Sequence, residues 1–304
     1  MTSPRGRLRR LARRTRRYDF PVWFWGDAIA FDGLLDAAEL AGDAASQRFC
    51  RRFAVRWAGQ PRAWTDTLTP GAAVLRLHRA TRSPELLVDS LYHVPTFLAE
   101  LATATGDRAW ADEAVETWIS HVARLRHRQG PLLCHNHDVA SDRWRGYGWG
   151  RGNGWAILGL VDTLGALPAR HPGRHALTAD LKALARAILP LQDASGFWRT
   201  LLHDHEAYLE SSTAAFFGAS FTKAVRLGLL GPAYARSADL AWRATLSRID
   251  REGGLLGVSG VTWVASAPTE ELALYKSMPT EVNAWGQGAA LRFAAERLRS
   301  RLDR

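Results

Sequence analysis

The 304-residue sequence predicts an all-α fold, a closed ring of helical hairpins, and three observations predict it. Apolar residues recur at helical spacing through most of the chain. The same Gly-Asp joint appears twice between such segments, at Gly42-Asp43 and Gly106-Asp107, preceded by similar Ala-Glu-Leu-Ala stretches at 38–41 and 99–102. Glycine suits the left-handed position that ends a helix and aspartate the cap that begins the next, so each joint reads as the turn of one repeated hairpin. The segments of extended character, near 131–135, 197–203 and 255–264, are too few and too short to build a sheet core.

Residues 1–20 read as a basic arm and residues 21–304 as one domain. Arginine supplies eight of the first 21 residues, and beyond them the chain is only slightly basic. From Val22 an apolar pattern runs to Leu40, and a second helix carries Phe49, Phe53, Val55 and Trp57 to the stop at Gly59-Gln60-Pro61. A third is expected over Leu68–His78. Others are expected from Phe97 to Leu101, from Trp110 to Val122, and near 155–169, 178–190, 210–229, 232–249 and 285–301. Loops rich in Trp, Gly and His fall at alternate connections. A ring would gather those loops at one mouth, whereas an open solenoid would string them along an edge.

Hydrophobic residues at 47% and charged residues at 23% describe a globular chain and exclude a disordered one. There is no apolar run of about 18 residues, so no membrane partner is expected. The arginine-rich start lacks the apolar stretch of a secretory signal, and a cytoplasmic location is the expectation. Cys50 and Cys134 are far apart and in no CxxC pair, which suggests neither a disulfide framework nor a zinc site. The formal charge of +10 is concentrated in the arm and comes without a helix-turn-helix, finger or RNP signature, so nucleic acid is not expected as a partner.

The most informative stretch is Gly148-Trp149-Gly150-Arg151-Gly152-Asn153-Gly154-Trp155. Alternating glycines each cost about 1 kcal/mol in a helix interior, so the stretch reads as a loop that delivers the helix behind it. Two indoles and a guanidinium suit a sugar that carries a carboxylate. A Gly-rich connection between packed helices, with both indoles in the core, is the competing reading. The stretch follows no strand, so it is no dinucleotide motif; P-loop, GxSxG and HExxH are absent too, and neither a cofactor nor a metal is expected. What remains is carboxylates among aromatic residues. Asp89 is a charge inside the apolar run Leu86–Pro95, just before a helix. Asp138 closes Leu132-Leu133-Cys134-His135-Asn136-His137-Asp138, where a surface turn is the plainer reading. Asp162 lies inside a helix and reads as a packed residue.

An Asp before a hydrophobic-aromatic-x-x-Pro stretch, a His-x-x-Asp, then W-G-R-G-N-G-W, E-S-S-T and a late W-G-Q-G-A follow one another over about residues 20–300. In this order they resemble the unsaturated rhamnogalacturonyl hydrolases, glycoside hydrolase family 105, akin to family 88. The resemblance implies an (α/α)6 barrel and a cytoplasmic glycosidase. It would remove a terminal 4,5-unsaturated uronic acid, by hydration of the double bond, from oligosaccharides left by polysaccharide lyases. It assigns Asp138 as general acid/base and Asp89 as the second carboxylate, which would raise the pKa of Asp138. It puts His137, Trp149, Arg151, Trp155, Trp198 and Arg199 around the sugar. His93 and His137 depart from the family pattern, which leaves the exact substrate open. A family 88-like unsaturated glucuronyl hydrolase, another (α/α)6 glycosidase, and a non-catalytic protein that binds acidic glycans are the alternatives.

Overall fold

The computed structural model describes residues 3–20, 25–58, 85–128, 130–262 and 268–303. The helix expected over 68–78 lies outside them. Among the described residues the helices are α1 (Pro4–Thr15), α2 (Ala28–Ala41), α3 (Ala44–Ala58), α4 (Ser90–Thr105), α5 (Arg108–Leu125) and α6 (Gly150–Ala166). They continue with α7 (Arg174–Ile188), α8 (Ser211–Arg226), α9 (Pro232–Ser247), α10 (Pro268–Ser277) and α11 (Ala284–Leu302). The fold is an (α/α)6 barrel. Its inner helices α4, α6, α8, α11 and α2 pack each on the next, and α5, α7, α9, α1 and α3 back them from outside.

Both Gly-Asp joints behave as read. Gly42 (φ 63°) and Gly106 (φ 72°) are left-handed, and the Asp107 carboxylate accepts a hydrogen bond from the Ala109 amide at the start of α5. Residues 4–15 are not a loose arm. Leu8, Leu11, Ala12 and Thr15, spaced three and four apart, are buried against α2 and α11, while Arg5, Arg9, Arg13 and Arg17 face outward.

The strands are short ties at the mouth: β1 (Glu85–Leu87), β2 (Asn136–Asp138) and β3 (Arg143–Arg145) in one antiparallel sheet, β4 (Trp198–Arg199) with β5 (Leu209–Glu210), and β6 (Val258–Ser259) with β7 (Thr280–Glu281). In the first sheet Leu86 stands opposite His137 and Leu87 opposite Asn136. The Val88 amide then donates to the His135 carbonyl, which carries the ladder to the second residue before α4.

The glycines of the Trp149–Trp155 stretch belong to α6 itself, and only Gly148 (φ 70°) is left-handed. The helical penalty is accepted because there is no room for a Cβ. At Gly150 it would stand 2.6 Å from the Arg199 carbonyl oxygen, at Gly152 2.6 Å from Val88 and Trp149, and at Gly154 2.8 Å from Phe216. Asn153 locks the first turn in place, its side-chain oxygen accepting from the Leu133 amide and its side-chain NH2 donating to the Leu133 and Trp149 carbonyls.

One turn further, Gly159 lets α6 cross α4 with backbone nearly in contact. A Cβ there would lie 2.4 Å from the Leu91 oxygen and 2.6 Å from the Tyr92 Cα. Gly159→Ala is expected to destabilise the fold by about 1–3 kcal/mol, read as a lower urea midpoint with unchanged slope. A wild-type midpoint would contradict the close crossing.

At the far end of the barrel a cavity of about 440 Å³ is lined by a network of charges. Asp162 pairs with Lys223 (2.5 Å) and Arg292 (2.7 Å), Asp36 with Arg299 (2.7 Å), and Glu296 with Arg226 and Arg299 (2.9 Å each). Asp162 is therefore the packed residue its position in the sequence suggested, and cations hold its carboxyl below the usual range against the opposing effect of burial.

Candidate active site

The inner helices begin at one end of the barrel, and the residues that precede or open them meet there. Asp89 stands before α4, Trp149 before α6, Glu210 before α8, Asn283 before α11 and Asp27 before α2. The contacts run around the mouth. The Asp89 carboxylate lies 3.8 Å from His135 Nε2, and the His135 ring packs 4.1 Å from that of Trp149. The guanidinium of Arg151 sits 4.8 Å from the Trp149 ring and 5.4 Å from that of Trp285. Arg151 reaches Ser259, which Glu210, Asn283 and Trp285 also bond. Each helix start carries about half a positive charge, so several aimed at one mouth favour an anionic guest.

Asp89 is buried, and burial pushes its carboxyl up to about 6, with the Arg151 cation pulling the other way. Among the described residues its Oδ1 has no hydrogen-bond partner. His135 has Nδ1 2.6 Å from the Tyr275 hydroxyl, and burial followed by the Arg151 charge lowers its pKa to about 3, so the ring is neutral at ordinary pH. His93, one turn into α4 from Asp89, lies 5.5 Å from Trp155 and is brought down to about 4 by burial alone. A carboxylic acid that keeps its proton up to about pH 6, beside the neutral His135 imidazole, has the right charge state there to give a proton away.

Asp138 has a different environment. Its carboxylate accepts from the Ala140 amide (3.0 Å) and the Ser141 hydroxyl (2.5 Å) in an exposed turn, and that Ser141 hydrogen bond is the main reason its pKa is lowered. Neither carboxylate is among the groups that shift the other. The expectation of a coupled pair with Asp138 as proton donor therefore meets an ionised surface turn, while the raised pKa belongs to Asp89. His137 goes with this outer turn, stacked 4.4 Å from Trp144 with Nε2 3.0 Å from Asp142.

The other expected sugar contacts divide. Trp149, Arg151 and Trp155 belong to the mouth. Trp149 and Trp155 are almost wholly buried and form its inner wall rather than an open stacking face. Trp198 is a core residue that donates to the Ile188 carbonyl and packs on Phe217 and Phe221. Arg199 spans its own hairpin to the Ala207 carbonyl. Arg151 is fully buried; its guanidinium donates to the Ser259 carbonyl (2.7 Å) and hydroxyl, the Gly260 carbonyl (2.8 Å) and the Thr262 hydroxyl (3.2 Å). It is a clamp on segment 259–262 that keeps a cation beside Asp89.

Sequence reasoning did not single out Tyr275 or Ser259, which no motif marks, and it gave Trp285 and His135 no role beyond their place in the W-G-Q-G-A and His-x-x-Asp motifs. Among the described residues no group of three His, Cys, Asp or Glu side chains is placed to hold a metal ion, and no helix is long and apolar enough to cross a membrane.

The helical ring and its mouth of carboxylate, indole and guanidinium define a carbohydrate-active enzyme of the α/α-barrel class. The glycosyl hydrolase family 88 profile matches residues 62–301, and the chain belongs to that family. It is 26% identical to the unsaturated rhamnogalacturonyl hydrolase YesR of Bacillus subtilis (strain 168), over 96% of this chain and 94% of that protein. It is also 26% identical to an unsaturated 3S-rhamnoglycuronyl hydrolase of Formosa agariphila, over 69% of this chain and 57% of that protein. A crystal structure described as a possible member of the GH105 family, from Salmonella enterica, superposes with a TM-score of 0.82 at 23% identity, covering 98% of this chain and 94% of the other. The chain is thus a glycoside hydrolase of the unsaturated uronyl hydrolase kind.

Proposed function

We propose that the protein removes a 4,5-unsaturated galacturonic acid from the non-reducing end of rhamnogalacturonan-derived oligosaccharides, in the cytoplasm, with Asp89 as general acid/base. The observation that carries this reading is the buried Asp89 carboxyl, raised to about 6 and lined by Arg151 and His135. The likeness to YesR along nearly the whole chain supports the substrate class.

The chemistry follows from the substrate, whose C4–C5 double bond and ring oxygen form a vinyl ether. The Asp89 carboxylic acid gives its proton to C4, leaving an oxocarbenium ion shared by C5 and the ring oxygen. Asp89, now a carboxylate, takes a proton from the water that adds at C5 and is ready for another cycle. The hemiketal opens to a ketone at C5, C1 becomes an aldehyde, and the attached sugar leaves as an alcohol. Because the glycosidic carbon is never displaced directly, the carboxylate spacing that separates retaining from inverting glycosidases has no bearing here. Helix starts at the mouth and the Arg151 cation favour the substrate carboxylate at long range, while the Arg151 hydrogen bonds are taken up by segment 259–262.

A panel of unsaturated disaccharides tests the reading, by following the ultraviolet absorbance of the conjugated double bond. The expected result is fastest loss with unsaturated galacturonyl-rhamnose. Preference for an unsaturated glucuronyl disaccharide would move the protein to the glucuronyl hydrolases, and binding without turnover on the whole panel would make it a glycan-binding protein.

A further inference from the structure

Glu210 is a fully buried carboxylate that the reaction above does not use. It stands immediately before α8 and accepts hydrogen bonds from the Ser212 hydroxyl (2.7 and 2.8 Å to its two oxygens), the Thr213 amide (2.8 Å) and the Ser259 amide (2.9 Å). The first two explain it as a helix cap. The third does not belong to a cap, because Ser259 lies on β6, 49 residues on, in the segment that Arg151 clamps. One residue, Ser259, thus receives the Arg151 guanidinium on its carbonyl and hydroxyl and gives its amide to Glu210. Gly257, next to this contact, accepts a hydrogen bond on its carbonyl from the Ser211 amide and is left-handed (φ 76°), and a Cβ there would lie 2.8 Å from Ser211 Oγ.

We propose that Glu210 is a positioning residue of the uronyl site, which holds Ser259 and, through it, sets the Arg151 guanidinium beside Asp89. The inference rests on the reading of Asp89 as the acid/base. A cap alone would need only the Thr213 amide; the extension to Ser259 links α8, β6 and α6 at one point. Charge adds to the linkage. The groups that act on Arg151 are Glu210 first, then Asp89, Tyr208 and Tyr275, so Glu210 is the main counter-charge to a cation that burial would otherwise disfavour. Without it, the guanidinium is no longer held beside Asp89, and the protonated form of Asp89 is favoured.

Two variants test this, Glu210→Gln and Glu210→Asp. Glutamine keeps the length and loses the charge; aspartate keeps the charge but withdraws it by one methylene, within reach of the Thr213 amide and away from Ser259. Both are measured for melting temperature, kcat against pH, and the titration of the Asp89 carboxyl by carbon-13 NMR in the free protein. That last readout needs no turnover, so it separates failure of this inference from failure of the functional reading. In Glu210→Gln the Asp89 titration and the alkaline limb are expected to move together to higher pH by about half a unit or more, with kcat down about 10-fold or more. In Glu210→Asp a smaller shift in the same direction is expected, again with reduced kcat, and this variant decides if the glutamine protein does not fold. A cap with no other role would lower the melting temperature in both and leave the titration and the limb where they are, and that result overturns the proposal.

Discussion

Asp89→Asn is expected to lower kcat by about 10²–10⁴-fold, the usual contribution of a positioned proton donor, without loss of the fold. The amide has nearly the shape of the acid, and among the described residues Asp89 Oδ1 has no hydrogen-bond partner to lose. Asp138→Asn is expected to keep kcat within a few-fold of wild type, because the amide oxygen can still accept from Ala140 and Ser141 in an exposed turn. In the wild type the acid must be protonated to act, so kcat/KM is expected to fall as pH rises through about 6, the value to which burial brings Asp89. Steady-state kinetics on both variants check the pair. A large loss in Asp138→Asn beside a small one in Asp89→Asn would return the acid/base role to the outer turn.

The second large effect is expected at Arg151, where two substitutions separate charge from geometry. Arg151→Lys keeps the cation that lowers the pKa of Asp89, but one ammonium cannot reach the Ser259 carbonyl, the Gly260 carbonyl and the Thr262 hydroxyl together. Turnover is expected to fall about 10²-fold through misplacement of the mouth, with the alkaline limb unmoved. Arg151→Gln removes the cation as well. The Asp89 acid form is then favoured, so the limb is expected to move to higher pH, in the same direction as the shift expected for Glu210→Gln. Equal pH profiles for the two Arg151 variants would contradict an electrostatic role for this side chain.

The parts of the fold visible in the sequence are those set by local chemistry. Gly42-Asp43 and Gly106-Asp107 end and start helices because a left-handed glycine and a short carboxylate do so in any context. The amphipathic spacing of Leu8, Leu11, Ala12 and Thr15 was equally available but was hidden by the surrounding arginines. What the sequence could not show is decided by contacts between distant residues. The glycines of the Trp149–Trp155 stretch are helical because Arg199, Val88 and Phe216 crowd them, and nothing within the stretch reports those neighbours. Trp198 looked like a sugar platform and is a pillar under Phe217. Asp89 and Asp138 were both legible as carboxylates near the site. Their environments are set by contacts outside each stretch: β1 pairs with β2, the His135 ring lies beside Asp89, and Asp138 runs outward into a turn.

The central claim, hydration at a vinyl ether by a buried aspartic acid, is tested most directly by proton NMR of the reaction in heavy water. With wild-type protein and unsaturated galacturonyl-rhamnose, the vinyl signal at C4 should disappear in step with release of rhamnose, and one deuterium should appear at C4 of the product. Asp89→Asn should slow both events together. Release of rhamnose with the vinyl proton still present on the uronate would mean direct displacement at the glycosidic carbon and would contradict the account.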